Sequence, residues 1–126
     1  MLTLYIDLDH TLLDTEKLKR AFSVALKLFG VSNWKFFDVY GRLRARGSFA
    51  IGAFVKLLEL SPVMQKKAIR VLEKETGHAE RFLYPDTLPF LRALKRKGVR
   101  VVIFTYGDPG FQRMKLKGMV KLKLLT

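Results

Sequence analysis

The sequence predicts an α/β fold in which a parallel sheet is interrupted by an all-helical insert, and three observations carry that expectation. The run Leu2-Thr3-Leu4-Tyr5-Ile6 is short, apolar and bounded by polar residues. A second run, Val99-Arg100-Val101-Val102-Ile103-Phe104, is β-branched and almost wholly apolar, the pattern of a strand covered on both faces of a parallel sheet. Between the two, apolar residues recur at helical rather than alternating spacing.

In chain order, Thr15 is placed to cap a helix carrying Leu18, Phe22, Ala25, Leu26 and Phe29, with Gly30 as its stop. A second helix over 33–46 is expected to bury Trp34, Phe37, Tyr40 and Leu43 before Gly47, and a third over 49–60 presents Phe54, Val55 and Leu58. Ser61-Pro62 reads as an N-cap followed by a first-turn proline, opening a fourth helix through Val71 and Leu72 to Gly77. Aromatic residues in this stretch fall at helical spacing, so they read as core rather than as a ligand box. Tyr84-Pro85 restarts the chain, and Asp86 is placed to cap a helix holding Leu88, Leu91 and Leu94 and ended by Gly98. After the second strand, Thr105-Tyr106-Gly107 turns into a last helix with Asp108 as N-cap and Pro109 in the first turn. The order strand, helical insert, helix, strand, helix gives a partial, Rossmann-like parallel core over residues 1–14 and 81–126 and a helical cap over 15–80.

Composition narrows the functional classes. The chain has 126 residues, 49% of them hydrophobic, which suits one globular domain with a real core. It contains no cysteine, which removes disulfides, thiolate nucleophiles and cysteine-based zinc sites and agrees with a reducing cytoplasm. No apolar run has the length needed to cross a bilayer, and the start lacks a basic leader, so a soluble protein without a membrane partner is expected. The formal charge is +13, from 24 Lys and Arg against 11 Asp and Glu. Such a field attracts anions. The cations are dispersed, with Arg42, Arg44 and Arg46 in one helix, Lys95, Arg96, Lys97 and Arg100 around a helix end, and Lys115, Lys117, Lys121 and Lys123 towards the C-terminus. None of these groups is interleaved with stacking aromatics, so solvated helix faces are preferred over a nucleic-acid footprint and no nucleic-acid partner is expected.

Chemistry is concentrated where the first strand ends, in Asp7-Leu8-Asp9-His10-Thr11. Side chains two apart on a strand leave on the same side, so Asp7 and Asp9 converge. Two crowded carboxylates make sense if a divalent cation shares them or if only one is ionised. A bland alternative is an Asx turn in which Asp9 caps the chain locally and Asp7 is solvated. If the two strands are parallel neighbours, Asp7, Asp9, Thr11 and Thr105 all emerge at one sheet edge, where open α/β folds bind ligands.

This pairing resembles the haloacid dehalogenase superfamily, whose first motif is an apolar strand ending in DxDx[TV] and whose second is an apolar strand ending in Ser or Thr. The stretch 84–118 follows the family order, and the insert resembles a cap placed behind the first motif. The resemblance implies Asp7 as nucleophile, Asp9 as general acid/base, Mg²⁺ held by Asp7 and Asp9, the latter through its carbonyl, and phosphate bound by Thr105 with the backbone of Tyr106 and Gly107. It implies a phosphatase-type hydrolase of small phosphorylated metabolites, because a leaving-group acid such as Asp9 serves phosphoester cleavage and not carbon–halogen displacement. His10 and Tyr106 stand where the family commonly has a small residue and an asparagine. A third-motif lysine and a fourth-motif acidic pair are not visible: Lys115 and Lys117 come too soon after Thr105, and no acidic residue follows Asp108. The pattern therefore reads as a truncated or frameshifted member, and the alternative is a scaffold that binds phosphate or a partner protein without turnover. Self-association through an uncovered sheet edge is also expected.

Overall fold

The computed structural model describes residues 1–120. Its elements run β1 (Thr3–Asp7), α1 (Thr15–Leu26), α2 (Asn33–Arg46), α3 (Ile51–Leu57), α4 (Pro62–Gly77), α5 (Thr87–Arg96), β2 (Arg100–Phe104) and α6 (Pro109–Val120), with 3₁₀ turns at Lys27–Phe29 and Ala79–Phe82. The mixed α/β class and the element order match the sequence reading. Residues 118–120 are the last turn of α6, and Lys121 and Lys123 lie outside the described residues. No helix among the described residues is long and apolar enough to cross a membrane.

β1 and β2 pair in parallel, in register from Thr3 opposite Arg100 to Asp7 opposite Phe104. That register brings the two polar strand ends side by side. Leu4, Ile6, Val101 and Ile103 share one face and join the core, while Tyr5 and Phe104 on the other face are 66% and 44% exposed. The strand expected to be covered on both faces is thus covered on one.

Local chemistry sets the helix ends. Asp14, not Thr15, caps α1 by accepting from the Lys17 N–H at 3.1 Å, Ser32 caps α2 through Lys35 N–H, and Ser61 caps α4 with Pro62 in the first turn. Asp86 precedes α5 without a side-chain capping bond, whereas Asp108 accepts from Phe111 N–H at 2.9 Å. In α2 the buried residues are Phe36, Val39 and Leu43, with Tyr40 partly buried. Trp34 is 76% and Phe37 39% exposed, a correction of about one position in helical phase. The helix carries apolar residues on two faces, and packing decides between them: Phe36 meets Phe54 edge-on at 5.1 Å.

The aromatic core ties α6 to the insert. Phe49 lies 5.2 Å from Phe54, 6.1 Å from Phe22 and 5.0 Å from Phe111. Where the chain leaves and re-enters the strand layer, it is stitched to itself: Asp14 N–H donates to the Phe82 carbonyl, Tyr84 N–H to the Leu12 carbonyl, and the Thr87 hydroxyl to the same Leu12 carbonyl at 2.7 Å. These bonds fix the loop after Asp9 against the base of α5.

Candidate active site

The loop behind β1 is wound tightly. Leu12 and Leu13 N–H groups donate to the Leu8 carbonyl, and His10 N–H donates to that of Leu13. His10 takes a left-handed conformation, φ 61°, which costs an L-residue about 1–2 kcal/mol. The turn buries Leu8, Leu12 and Leu13 and leaves Asp7 and Asp9 beside a cavity of about 240 Å³. Asp7, Asp9, Tyr106, Gly107 and Asp108 line it from the strand ends, Lys19, Phe22, Tyr40, Arg44 and Phe49 from the insert, and Phe111, Gln112 and Lys115 from α6.

The predicted residues are therefore gathered, with differences. Asp7, Asp9, Tyr106 and Gly107 share the cavity. Thr105 is not part of the lining, and its hydroxyl receives the Gln112 amide. Thr11 is exposed and is not part of the lining, and Thr15 takes its place, donating its hydroxyl to Asp9 Oδ1 at 2.9 Å. Of the three arginines on α2, Arg44 alone lines the cavity, while Arg42 pairs with Asp38 at 3.1 Å.

Asp9 does not form a local turn. Lys115 Nζ sits 2.8 Å from its Oδ1, with the lysine side chain 3% exposed, and Gln112 Nε2 sits 2.8 Å from its Oδ2. The same Gln112 nitrogen faces the Thr105 hydroxyl and the Tyr106 carbonyl. It has only two hydrogens to share among these acceptors, so one bond is bifurcated. Lys115 follows Phe111 by four residues and Gln112 by three, so it shares one side of α6 with both. The Phe111 ring lies 4.3 Å under the Lys115 ammonium. Gly118 allows α6 to approach this closely: a Cβ there would come within 2.9 Å of the Ala79 nitrogen and the Gly77 carbonyl.

Lys115 and Gln112 are what the sequence reading missed. The dispersed-charge pattern puts Lys115 with Lys117 on a solvated helix, yet it is buried against Asp9. The available signal was its i+4 relation to Phe111, an aromatic that the core claims, whereas Lys117 stays exposed.

Electrostatics follow from this packing. Burial pushes the Asp9 carboxyl up, but the Lys115 charge and the hydrogen bonds from Lys115, Gln112 and Thr15 together outweigh it and hold Asp9 below the ordinary carboxylate value. Burial lowers the Lys115 ammonium, and the like charge of Arg44 adds to this, while Asp9 opposes it incompletely. Among the described residues no cluster of three or more His, Asp or Glu side chains could hold a metal. Asp7 accepts the adjacent Leu8 N–H on Oδ1. Its carboxylate and the Asp9 carbonyl are hard oxygen donors suited to a Mg²⁺ that keeps most of its ligands as water and substrate oxygens.

The sequence model of haloacid dehalogenase-like hydrolases matches residues 1–122. None of the curated proteins matches the chain. Among solved structures it is similar to YfnB from Bacillus subtilis, a protein described as a HAD-hydrolase and bound to magnesium, with 16% identity and a TM-score of 0.59 over 99% of this chain and 61% of that one. It is similar to CbbY from Rhodobacter sphaeroides in complex with phosphate, with 17% identity and a TM-score of 0.51 over 94% of this chain and 57% of that one. A hydrolase from Streptococcus pneumoniae TIGR4 aligns at 23% identity and a TM-score of 0.53 over 98% of this chain and 63% of that one. The chain thus spans about three fifths of the length of these structures. On the match over residues 1–122 and the fold it shares with these structures, the chain belongs to the haloacid dehalogenase-like hydrolases.

Proposed function

We propose that the protein is a Mg²⁺-dependent phosphatase-type hydrolase of small phosphorylated metabolites that works through an aspartyl-phosphate on Asp7. The supporting observation is that Asp7 and Asp9 face one cavity at the C-terminal end of β1, beside the Tyr106-Gly107 turn. An Asp7 oxygen attacks phosphorus in line, the bond from phosphorus to the alcohol oxygen breaks, and Asp9 gives that oxygen its proton. Water then attacks the acyl-phosphate, Asp9 takes a proton back, and phosphate leaves with Asp7 regenerated. Thr105 and the N–H groups of Tyr106 and Gly107 donate to the phosphoryl oxygens. Mg²⁺, held by Asp7 and the Asp9 carbonyl, would supply neutralising charge for the phosphoryl group. Residues 15–80 act as the cap that selects the substrate, and Arg44 is its cationic contribution to the cavity. The phosphate in CbbY and the magnesium in YfnB support this reading by analogy. The absence of clustered aromatics among the basic groups, and of any long apolar helix among the described residues, favours a metabolite over nucleic acid or membrane as partner. The reducing compartment suggested by the lack of cysteine makes the cytoplasm the proposed location.

A second reading, phosphate binding without turnover, is favoured by one observation: both Asp9 oxygens are engaged by Lys115 and Gln112, so the carboxylate is held ionised and carries no proton to donate. Acid-quenched labelling with a radioactive phosphodonor in Mg²⁺ separates the two. Hydrolysis of p-nitrophenyl phosphate with a label trapped on wild type and lost in Asp7→Asn supports the enzyme. Phosphate binding with neither label nor turnover establishes the second reading.

A further inference from the structure

We infer that Gln112 is a positioning residue linking the two strand ends: when a phosphoryl oxygen engages Thr105, the Gln112 amide is drawn away from Asp9, and Oδ2 of Asp9 opens to the reacting oxygens. This link presupposes the phosphoryl-site reading of the cavity. Gln112 is 5% exposed, and its Nε2 lies 2.8 Å from Asp9 Oδ2 behind β1, 2.9 Å from the Tyr106 carbonyl and against the Thr105 hydroxyl behind β2. Its orientation is fixed by charge, since turning the amide over would set its oxygen against a carboxylate and a carbonyl. Gln112 Oε1 is buried without a hydrogen-bond partner among the described residues. An apolar side chain of similar shape would avoid that cost, which marks the amide as serving the link rather than the stability of α6.

Nε2 has two hydrogens for three acceptors, so what one acceptor gains another loses. The Thr105 hydroxyl accepts from Gln112 and, among the described residues, donates to nothing. Once it donates to a phosphoryl oxygen, its own oxygen becomes the stronger acceptor, because hydrogen bonds in a chain polarise one another. The two amide hydrogens then settle on Thr105 and the Tyr106 carbonyl. Asp9 keeps its place through Lys115, 2.8 Å from Oδ1, while Oδ2 is released. Asp9 is thus fully engaged while no phosphoryl group is bound, and is freed by the group on which it acts.

The side-chain amides can be followed singly, because Asn33, Gln65 and Gln112 are the only three in the chain. In ¹H–¹⁵N spectra of the whole chain titrated with inorganic phosphate without Mg²⁺, the backbone signals of Tyr106 and Gly107 report occupancy of the turn, and the Gln112 side-chain pair reports the link. All are expected to shift along one saturation curve while Asn33 and Gln65 stay. The Gln112 hydrogen bonded to Asp9 should move upfield as its charge-assisted bond is lost. In Thr105→Val at saturating phosphate the backbone shifts should remain and the Gln112 shift should be lost, and Thr105→Ser, which keeps the hydroxyl, should restore it. A Gln112 pair that stays still or moves downfield while Tyr106 and Gly107 shift overturns the link alone, as does a Gln112 shift that survives Thr105→Val. Backbone signals indifferent to phosphate overturn the phosphoryl-site reading, and the link with it. If Thr105→Val does not fold, the titration of the unaltered protein still decides.

Discussion

Asp9 is the residue on which the site turns, and its state has a consequence for stability. Its folded pKa lies below the ordinary value, so the unfolded chain binds that proton more tightly and stability rises with pH across the interval. The contribution is fully present above the unfolded value, about 3.9, and is lost as pH falls through the lowered folded one. Lys115 has the same sign, since its folded pKa is also lowered, and its own gain comes only in the alkaline range. Urea titrations at stepped pH should therefore show wild type losing stability below about pH 4 more steeply than Asp9→Asn; parallel curves would mean that Asp9 is not held ionised by its neighbours. At this scale the carboxylates and the Thr105-Tyr106-Gly107 turn were legible from the sequence, because a strand's two-residue period and a strand-end motif fix where they point. Gln112 and Lys115 were not, because a helix facing two apolar environments does not declare which of its lysines is inside. Thr15 stands in the place expected of Thr11 for a related reason: the left-handed His10 and the bonds to the Leu8 carbonyl curl the loop so that Thr11 is exposed.

The same ambiguity governs whole elements. α2 shows apolar residues at 34, 36, 37, 39, 40 and 43, enough for two overlapping stripes, and the sequence cannot rank them without knowing the partner. Phe54 of α3 and the stacked Tyr40 settle the matter in favour of Phe36. Phe36→Ala should cost about 3–5 kcal/mol, the usual range for removing a fully buried phenylalanine, whereas Trp34→Ser should change stability by less than about 0.5 kcal/mol. Equal losses in chemical denaturation would restore Trp34 to the core. By contrast, α3 is readable in phase and α4 and α6 at their starts: Phe54, Val55 and Leu58 are buried as expected, and the Ser61 and Asp108 caps carry a side-chain signal that does not depend on tertiary context.

For the molecule as a whole, the parallel pairing of β1 with β2 was implied by two apolar runs separated by helices, but the coverage of the sheet was not. Parallel sheets are ordinarily shielded on both faces. Here Leu4, Ile6, Val101 and Ile103 are shielded while Tyr5, Phe104 and the neighbouring Tyr106, 84% exposed, are not. Only the inner edges of β1 and β2 are paired among the described residues, so each strand keeps an outer edge of backbone groups able to accept another strand. A second copy of the chain offers both what that face and that edge lack, and its high net positive charge opposes the encounter. The chain is therefore expected to associate reversibly, more strongly as salt screens its charge. Light scattering after gel filtration should show a mass that grows with concentration from the micromolar range upward and with added salt, and Tyr5→Lys or Phe104→Lys should shift it back towards the monomer. A single monomeric mass at every concentration and salt level would show that aromatic side chains on a two-stranded sheet can stay in water without seeking a partner.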